Sequence, residues 1–160
     1  MSLTNQNDQV ETREVCVRRL DDLIGYNLRR ASVFDLLGAV AALEAVNARP
    51  VAMSVLLSII ETPGISAAEI CRALGMQRAN IVPVLAELEQ RGFFLRESDR
   101  SDQRVQRLFA TVKGEEEGAR WLALVAEREN ETFHRLTPAE RRQLRSLLAR
   151  IWQESGPKQG

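Results

Sequence analysis

The spacing of hydrophobic positions along the chain predicts helices, interrupted once by two short strands. From residue 13 to residue 47, apolar side chains recur every three or four positions with charged ones between them, as in a long amphipathic helix. We expect this helix to break near Gly38. Residues 51–61 are almost continuously apolar and follow Pro50, a residue type favoured at the first helical position, so they predict a buried helix.

Two short helices joined by a tight turn are predicted next. Ser66 and Glu69 have the spacing of a capping box, in which the hydroxyl and the carboxylate each bind a free backbone amide at a helix start. That helix ends at Gly75, because glycine readily adopts the left-handed conformation past a helix end. Another begins near Gln77 and continues to Arg91. This arrangement is typical of a helix-turn-helix.

A charged hairpin and two further helices complete the predicted fold. Residues 93–97 and 105–111 resemble strands and the polar segment between them resembles a long turn, so together they predict a wing. Thr111 caps a helix that runs to about Arg135, and Thr137 opens the last one. The expected fold class is therefore mostly α with a small β-hairpin wing, a winged helix-turn-helix lobe flanked by N- and C-terminal helices.

Composition limits the class of protein. With 160 residues, 44% of them hydrophobic, the chain can bury one core of ordinary size. No apolar run approaches the roughly 18 residues that span a membrane, and the N-terminal residues lack the apolar region of a secretory signal. The two cysteines lack the spacing of a disulfide framework or of a zinc site. We therefore expect a cytoplasmic protein with no membrane partner.

Positive charge is concentrated in the middle of a chain whose net charge is zero. Lysine and arginine total 22, as do aspartate and glutamate, which argues against binding driven by bulk positive charge. Arginine nevertheless supplies 20 of the 22 cations, and residues 72–107 hold seven arginines against five acidic residues. Because the planar guanidinium suits phosphates and base edges, this distribution favours a nucleic-acid partner.

The sequence contains no pattern typical of an enzyme. His134 stands near a predicted helix end without a metal-binding partner, and neither a phosphate-binding glycine loop nor a nucleophile elbow is present. The acidic run 115–117 is explained by its place at a helix N-terminus, where negative charge is favourable. We predict a protein that is not an enzyme, with no catalytic residue, no metal and no cofactor.

The start of the second short helix carries the expected base-reading side chains. In a helix-turn-helix this helix enters the major groove with its first residues against the base edges, and Gln77, Arg78 and Asn80 offer donors and acceptors there. The alternative is that Gln77 caps the helix while the other two are merely solvated. Ser66 and the amides around it form a natural phosphate clamp, although a capping role alone also explains this serine.

Residues 51–114 resemble the MarR family of bacterial transcription regulators. The resemblance rests on the apolar helix and on the motifs Pro63-Gly64-Ile65-Ser66, Glu69-Ile70, Ala73-Leu74-Gly75, Leu88-Glu89, Arg91-Gly92-Phe93, Asp99-Arg100-Ser101-Asp102-Gln103-Arg104 and Thr111-Val112-Lys113-Gly114. The most specific, Asp102-Gln103-Arg104, is similar to the family's D-x-R wing motif. It implies that Arg104 enters the minor groove, that Asp102 orients it through a salt bridge, and that Arg100 accompanies them on the wing. The alternative is a surface ion pair at a loop tip.

The resemblance also implies a homodimer on a pseudopalindromic operator in double-stranded DNA. Residues 20–32 are similar to the family's first helix, which forms the dimer together with the last two helices. The apolar stripes of the end helices agree with that role, because they need a surface to cover them. The expected regions are a disordered tail (1–12), a dimerisation region (13–48), the winged helix-turn-helix lobe (49–112), C-terminal dimer helices (113–155) and a tail (156–160).

Two positions depart from the family pattern. Pro83 stands where the recognition helix usually has a polar or basic residue, so we expect fewer base contacts and an altered docking angle. Cys16 lies about two helical turns before the sensor cysteine of peroxide-sensing relatives, which would fall near Gly25, so no redox role is expected. Cys71 is expected to be a small buried apolar residue.

Many members of the family bind small aromatic acids or phenols in a crevice between the dimer helices and the lobe. Such a crevice needs apolar walls and a few polar anchors. The side chains that match this requirement are Tyr26, Arg30, Phe34, Met53 and Trp121. The alternative is that these residues belong to the ordinary core.

Together these observations predict a homodimeric DNA-binding transcriptional regulator. We expect a repressor that a small aromatic or phenolic ligand releases from its operator. The alternative is a winged-helix protein-protein interaction module without sequence-specific DNA binding, which the zero net charge and Pro83 keep open.

Overall fold

The computed structural model describes residues 18–99 and 101–153, so Cys16, Arg100 and the predicted tails at 1–12 and 156–160 lie outside the described residues. In chain order the elements are α1 (Arg18–Asp21), α2 (Ile24–Glu44), α3 (Pro50–Glu61), α4 (Ala67–Leu74), α5 (Arg78–Gln90), β1 (Phe94–Ser98), β2 (Gln106–Ala110), α6 (Val112–Thr132) and α7 (Pro138–Gln153). The predicted class, mostly α with a small hairpin, is confirmed. The chain divides into two compact units, residues 1–33 and 34–160.

In the smaller unit, the helical segment breaks at residues 22–23, between α1 and α2. The side-chain amide of Asn27 donates to the carbonyl oxygen of Asp21 at 2.6 Å and to that of Leu23 at 3.0 Å. It therefore satisfies the Asp21 carbonyl, one of the groups that a helix end leaves without a helical partner, while the Leu23 carbonyl also accepts from the Asn27 backbone amide at 3.1 Å. The break that we expected near Gly38 is wrong, since α2 continues through that residue to Glu44.

In the larger unit, Gly38 is a packing position. It is buried within α2, and side-chain atoms of Arg128 and Thr132 on α6 lie 3.3 Å from the place that a β carbon would occupy. The missing side chain leaves room for the Arg128 and Thr132 side chains of α6 against α2. A glycine in a helix interior is therefore explained here by a tertiary contact, which the local sequence does not reveal.

The predicted helix starts and stops of the helix-turn-helix are confirmed. Pro50 is the first residue of α3. At the start of α4, the hydroxyl of Ser66 accepts from the amide of Glu69 at 3.3 Å, and the Glu69 carboxylate accepts from the amide of Ser66 at 2.8 Å. Gly75 follows α4 with φ of 62°, the left-handed conformation that its sequence position predicts.

The wing is the predicted antiparallel hairpin, with one additional pairing. Strands β1 and β2 pair in register from Phe94 opposite Ala110 onward. The other edge of β2 pairs with Ile65, whose carbonyl accepts from the Leu108 amide at 3.0 Å, while the Gly64 amide donates to the Leu108 carbonyl at 2.8 Å. This short bridge, which the sequence did not predict, fastens the root of the wing beside the start of α4.

The core of the larger unit surrounds α3 and is closed by α6. Trp121 of α6 is fully buried, its ring lies edge-on to Phe93 with 5.5 Å between centroids, and the guanidinium of Arg91 lies 5.0 Å from the Trp121 ring centroid. Helix α6 begins where Thr111 accepts from the Gly114 amide at 3.0 Å, which confirms its predicted cap.

The last helix contributes nothing to this core. The capping box of α7 forms as expected, because the Thr137 hydroxyl accepts from the Glu140 amide at 3.3 Å and the Glu140 carboxylate accepts from the Thr137 amide at 2.8 Å. No residue of α7 is buried, however, and Leu147 and Trp152 are exposed, the latter at 63%. An amphipathic helix in this state has an apolar side that residues 18–99 and 101–153 do not cover.

Replacing Gly114 with alanine is expected to destabilise the protein by about 2 kcal/mol or more. The new β carbon would lie 1.9 Å from the carbonyl oxygen of Phe93, and a backbone group cannot move aside as a flexible side chain can. Denaturant unfolding measures the effect. The control is Gly25→Ala, where nothing lies within 4 Å of the added carbon and no loss is expected. Equal unfolding midpoints for the two variants would contradict the close approach of α6 to Phe93.

Candidate nucleic-acid interface

An open cleft of about 410 Å³ lies between the first turns of α5 and the wing. Ser66 borders it at the start of α4, Arg78 and Val82 line it on α5, and Arg96 and Arg104 line it on the hairpin. Among the described residues that line this cleft, arginine is the only charged type. The positive potential of the cleft therefore suits an anionic ligand.

The first turn of α5 brings the three expected base readers together. Gln77 is the N-cap residue, and its side chain makes no capping hydrogen bond, so the capping alternative does not hold for its side chain. Arg78 and Asn80 are exposed on the same turn. Arg78 forms no ion pair with any residue in the described part of the chain. Its guanidinium is thus available to a ligand.

The hydroxyl of Ser66, which we expected to clamp a phosphate, makes its hydrogen bonds within the capping box of α4. It donates to the Glu69 carboxylate at 2.6 Å and accepts from the Glu69 amide at 3.3 Å. The hydroxyl proton is therefore already used inside the capping box. This placement agrees with the capping role, and a phosphate contact of Ser66 stays a prediction.

The wing motif is folded differently from the expected salt bridge. Across the described residues, the Asp102 carboxylate forms no ion pair with the Arg104 guanidinium; instead its Oδ1 accepts from the backbone amide of Arg104 at 3.0 Å. A short aspartate side chain at a turn reaches the amide two residues ahead more readily than a distant guanidinium. Asp102 therefore fixes the backbone of the wing tip, and among the described residues the Arg104 side chain at the cleft has no ion-pair partner.

Two ion pairs of the wing are made by Arg107, which the sequence analysis did not single out. Its Nε donates to Oδ2 of Asp99 at 2.6 Å, and its Nη1 donates to Oε2 of Glu69 at 3.2 Å and to the Gly64 carbonyl at 3.3 Å. The same Glu69 carboxylate closes the capping box with Ser66. One guanidinium therefore joins the start of α4 to the wing.

Hydrogen bonds keep the partners of Arg107 charged. Donation by Ser101 and by Arg107 holds the pKa of Asp99 well below its usual value, and donation by Ser66 lowers the pKa of Glu69. The bond to Asp99 raises the pKa of Arg107. Because the pKa values of both carboxyl groups are lowered, these ion pairs make their full contribution to the free energy of unfolding at any pH above the ordinary carboxyl pKa. It is lost only as the pH falls through the lowered values.

A further ion pair connects the wing to the end of α5. The Nε of Arg96 on β1 donates to Oε1 of Glu89 at 2.8 Å, and its guanidinium lies 5.4 Å from the centroid of the Phe94 ring. Arg96 also lines the cleft, so it is a second cationic group that the sequence analysis missed. The sequence feature that could have indicated Arg96 is the concentration of arginine in residues 72–107. That feature identifies the region but does not show which of its arginines lie at the cleft.

Comparison with known proteins decides the family. The MarR family profile matches residues 50–105. A structure of the transcriptional repressor CouR bound to a 23-mer DNA duplex is 36% identical to this chain, with a TM-score of 0.80, and the match covers 86% of this chain and 98% of that one. The chain belongs to the MarR family.

Two further relatives of this MarR chain are similar over most of its length. CouR bound to p-coumaroyl-CoA is 33% identical with a TM-score of 0.76, over 88% of this chain and 99% of that one. A Thauera aromatica protein, described as a putative transcriptional regulatory protein for the hcr operon, is 28% identical over 134 residues, or 82% of this chain and 80% of its own.

Membership of the MarR family gives the class of activity. The chain is a winged-helix, DNA-binding transcriptional regulator. MarR-family regulators are transcription factors and not enzymes. Within residues 18–99 and 101–153, no helix is both long and apolar enough to cross a membrane, and no three histidine, cysteine, aspartate or glutamate side chains are grouped so that they could hold a metal ion.

The five residues expected to line a MarR ligand crevice have different surroundings. On α2, Nη1 of Arg30 donates to the hydroxyl of Tyr26 at 2.9 Å, and the guanidinium lies 5.7 Å from the ring centroid. Phe34 is exposed, and Met53 is half-buried against the core. Ligand contact by these four residues stays a prediction.

Trp121 lies in the core, which was the alternative to a place in the ligand crevice. It is fully buried against Phe93, and its Nε1 donates to Oε2 of Glu117 at 3.0 Å. Because its surface is covered and its N–H donor is used, Trp121 is a core residue of the larger unit. Cys71 is likewise buried, as expected.

Arg107→Met is expected to weaken operator binding several-fold and to leave the midpoint of thermal unfolding almost unchanged. Ion pairs between partly exposed groups contribute little to global stability. Without the link, however, DNA binding must also order the wing, which lowers affinity. Gel-shift titration and calorimetry measure the two effects. The control is Arg120→Met, which removes a 3.5 Å pair with Glu117 on α6 and is expected to bind normally. Equal affinities of the two variants would show that the wing does not depend on Arg107.

Proposed function

We propose that the protein is a homodimeric repressor that binds a pseudopalindromic operator and leaves it when an aromatic acyl-coenzyme A thioester binds. The observation that supports this most strongly is that Arg78 on α5 and Arg104 on the wing lie at one cleft, and neither forms an ion pair with a residue that the structure describes. In this proposal the lobe comprises residues 49–112, the dimer regions comprise 13–48 and 113–155, and the protein acts in the cytoplasm, where operator DNA is found.

DNA binding in this proposal uses two grooves. The first turn of α5 enters the major groove, where Gln77, Arg78 and Asn80 meet base edges. The wing follows the backbone, and Arg104 enters the minor groove, whose narrow A·T-rich stretches attract a guanidinium. Arg96, placed between these two elements at the cleft, faces the phosphates that separate the grooves.

The dimer is supported by apolar surface that the single chain leaves uncovered. On α7, Leu144, Leu147 and Trp152 are exposed along one side of the helix, and α2 exposes a comparable series that includes Phe34 and Leu37. Exposed apolar area of this extent on a small protein marks an interface. A second copy of the chain is the partner that two-fold symmetric operators require.

The effector part of the proposal rests on similarity to CouR. The structure of CouR with p-coumaroyl-CoA is 33% identical to this chain over 88% of its length. Arg30, held by the hydroxyl of Tyr26, offers further N–H groups to an anionic or carbonyl oxygen of such a ligand. Release from DNA requires that the thioester bind the DNA-free conformation more tightly, since a ligand with equal affinity for both states shifts nothing.

Selection of operator sequences with the full-length protein is expected to return pseudopalindromes with half-site centres about 10 base pairs, or a multiple of that, apart. Light scattering of the complex is expected to give two chains per duplex.

Arg78→Ala should cost about 1 to 3 kcal/mol of the free energy of operator binding and relax the preference at one base pair of each half-site, because a guanine contact is lost. Arg104→Ala should weaken binding as well, whereas the control Arg120→Ala should not. Binding by a single chain to asymmetric sites would refute the dimer.

Addition of p-coumaroyl-CoA is expected to release the protein from its operator at lower concentration than p-coumarate or free coenzyme A. A hundredfold preference for the DNA-free state, about 2.7 kcal/mol, is enough to empty an operator that was mostly occupied. Arg30→Ala should need more thioester, and its neighbour variant Arg29→Ala should respond as the unmodified protein does. Release by p-coumarate alone would reassign the effector to the free acid, and no release by any of the three would refute the effector proposal.

A further inference from the structure

The surface that α5 turns away from the core is apolar along its first two turns. The buried side is formed by Ile81, Val84, Leu85 and Leu88. At 3.6 residues per turn, the opposite side is formed by four exposed residues, Ala79, Val82, Pro83 and Ala86, which we call the apolar strip. Val82 is 65% exposed. The outward side of a surface helix normally carries polar groups, so this strip needs an explanation.

Polar side chains border the apolar strip on both sides. Towards the wing, Arg78 and Val82 line the cationic cleft. On the other side lie Asn80 and Glu87, and the Glu87 carboxylate is paired with Arg49 at 2.6 Å. The strip is therefore bordered by Arg78 on one side, and on the other side by Asn80 and by a carboxylate whose charge is paired with Arg49. That charge pattern complements DNA and does not complement an apolar protein surface.

The chemistry of the apolar strip limits what α5 can recognise. Alanine, valine and proline side chains neither donate nor accept hydrogen bonds, so they cannot read the polar edges of bases. The apolar group that base edges present in the major groove is the C5 methyl of thymine, and small apolar side chains contact it directly. Ala79 permits close approach to the groove floor, and Val82 places two methyl groups beside Arg78.

We propose that α5 recognises thymine methyl groups through the apolar strip, with Val82 specifying a thymine next to the base that Arg78 contacts. The inference rests on the proposed operator binding and adds the chemical group that the recognition helix reads. Pro83 belongs to the same surface, because its ring extends the strip by a rigid apolar face. The sequence departure at Pro83 thus changes the kind of base contact and does not simply remove one.

A double-mutant cycle between protein and DNA tests this inference. The full-length protein is titrated against its selected operator and against copies in which one thymine of each half-site is replaced by uracil, which lacks only the C5 methyl. At one position we expect the replacement to raise Kd about fourfold per half-site, the effect of losing one buried methyl group. Val82→Ala should weaken binding to the thymine operator and should bind the uracil and thymine operators equally well.

Matched controls separate the contact from general effects. Val112→Ala shortens a valine that is 72% exposed at the start of α6, and it is expected to keep the full sensitivity to uracil. Uracil at thymines outside the half-sites is expected to change nothing.

The remaining outcomes distinguish the inference from the function on which it rests. If the uracil effect persists in Val82→Ala, the role of Val82 is overturned. If no uracil position changes affinity, recognition through the apolar strip is overturned while operator binding stands. If no sequence-specific operator is found at all, the operator proposal itself fails.

Discussion

The guanidinium of Arg107 makes the contacts on which the geometry of the arginine-lined cleft depends. Arg78 and Arg104 come from different elements, and the chain between them does not fix their spacing. That spacing is set where the wing meets α4, by the backbone bridge at Ile65 and by Arg107 bound to both Glu69 and Asp99. The bridge fixes the root of the hairpin. Arg107 fixes Asp99, and the Asp99 carboxylate in turn accepts from the amides of Ser101 and Asp102 at the tip.

This arrangement makes the capping box part of the interface as well as part of a helix. The Glu69 carboxylate accepts from Ser66 at the first turn of α4 and from Arg107 on β2. One carboxylate therefore links the first turn of α4 to the wing. Because α4 leads into α5 through the tight turn at Gly75, the same helix positions the first turn of α5. The start of α5 and the wing therefore share one support.

Features with local causes were predictable from the sequence, and features with distant causes were not. The caps at Ser66, Thr111 and Thr137 depend on residues three positions apart, and their sequence patterns predicted them. The packing of Gly38 against side chains of α6 and the pairing of Ile65 with Leu108 depend on contacts that no local pattern encodes. At the cleft, the sequence predicted that Arg78 lies at the start of α5 and Arg104 on the wing, and the structure has both there. The structural role of Arg107 was not predicted, because its partners lie eight and 38 residues away.

The two tryptophans of the chain occupy opposite environments. Trp121 is sealed in the core beside Phe93, and Trp152 is exposed on α7, the surface that a second copy would cover. Indole emission shifts with the polarity of its surroundings, so each ring acts as an optical reporter of a different event. Loosening of the lobe changes the emission of Trp121, and burial of α7 changes the emission of Trp152. The unlabelled protein thus carries separate spectroscopic signals for the integrity of its lobe and for its association.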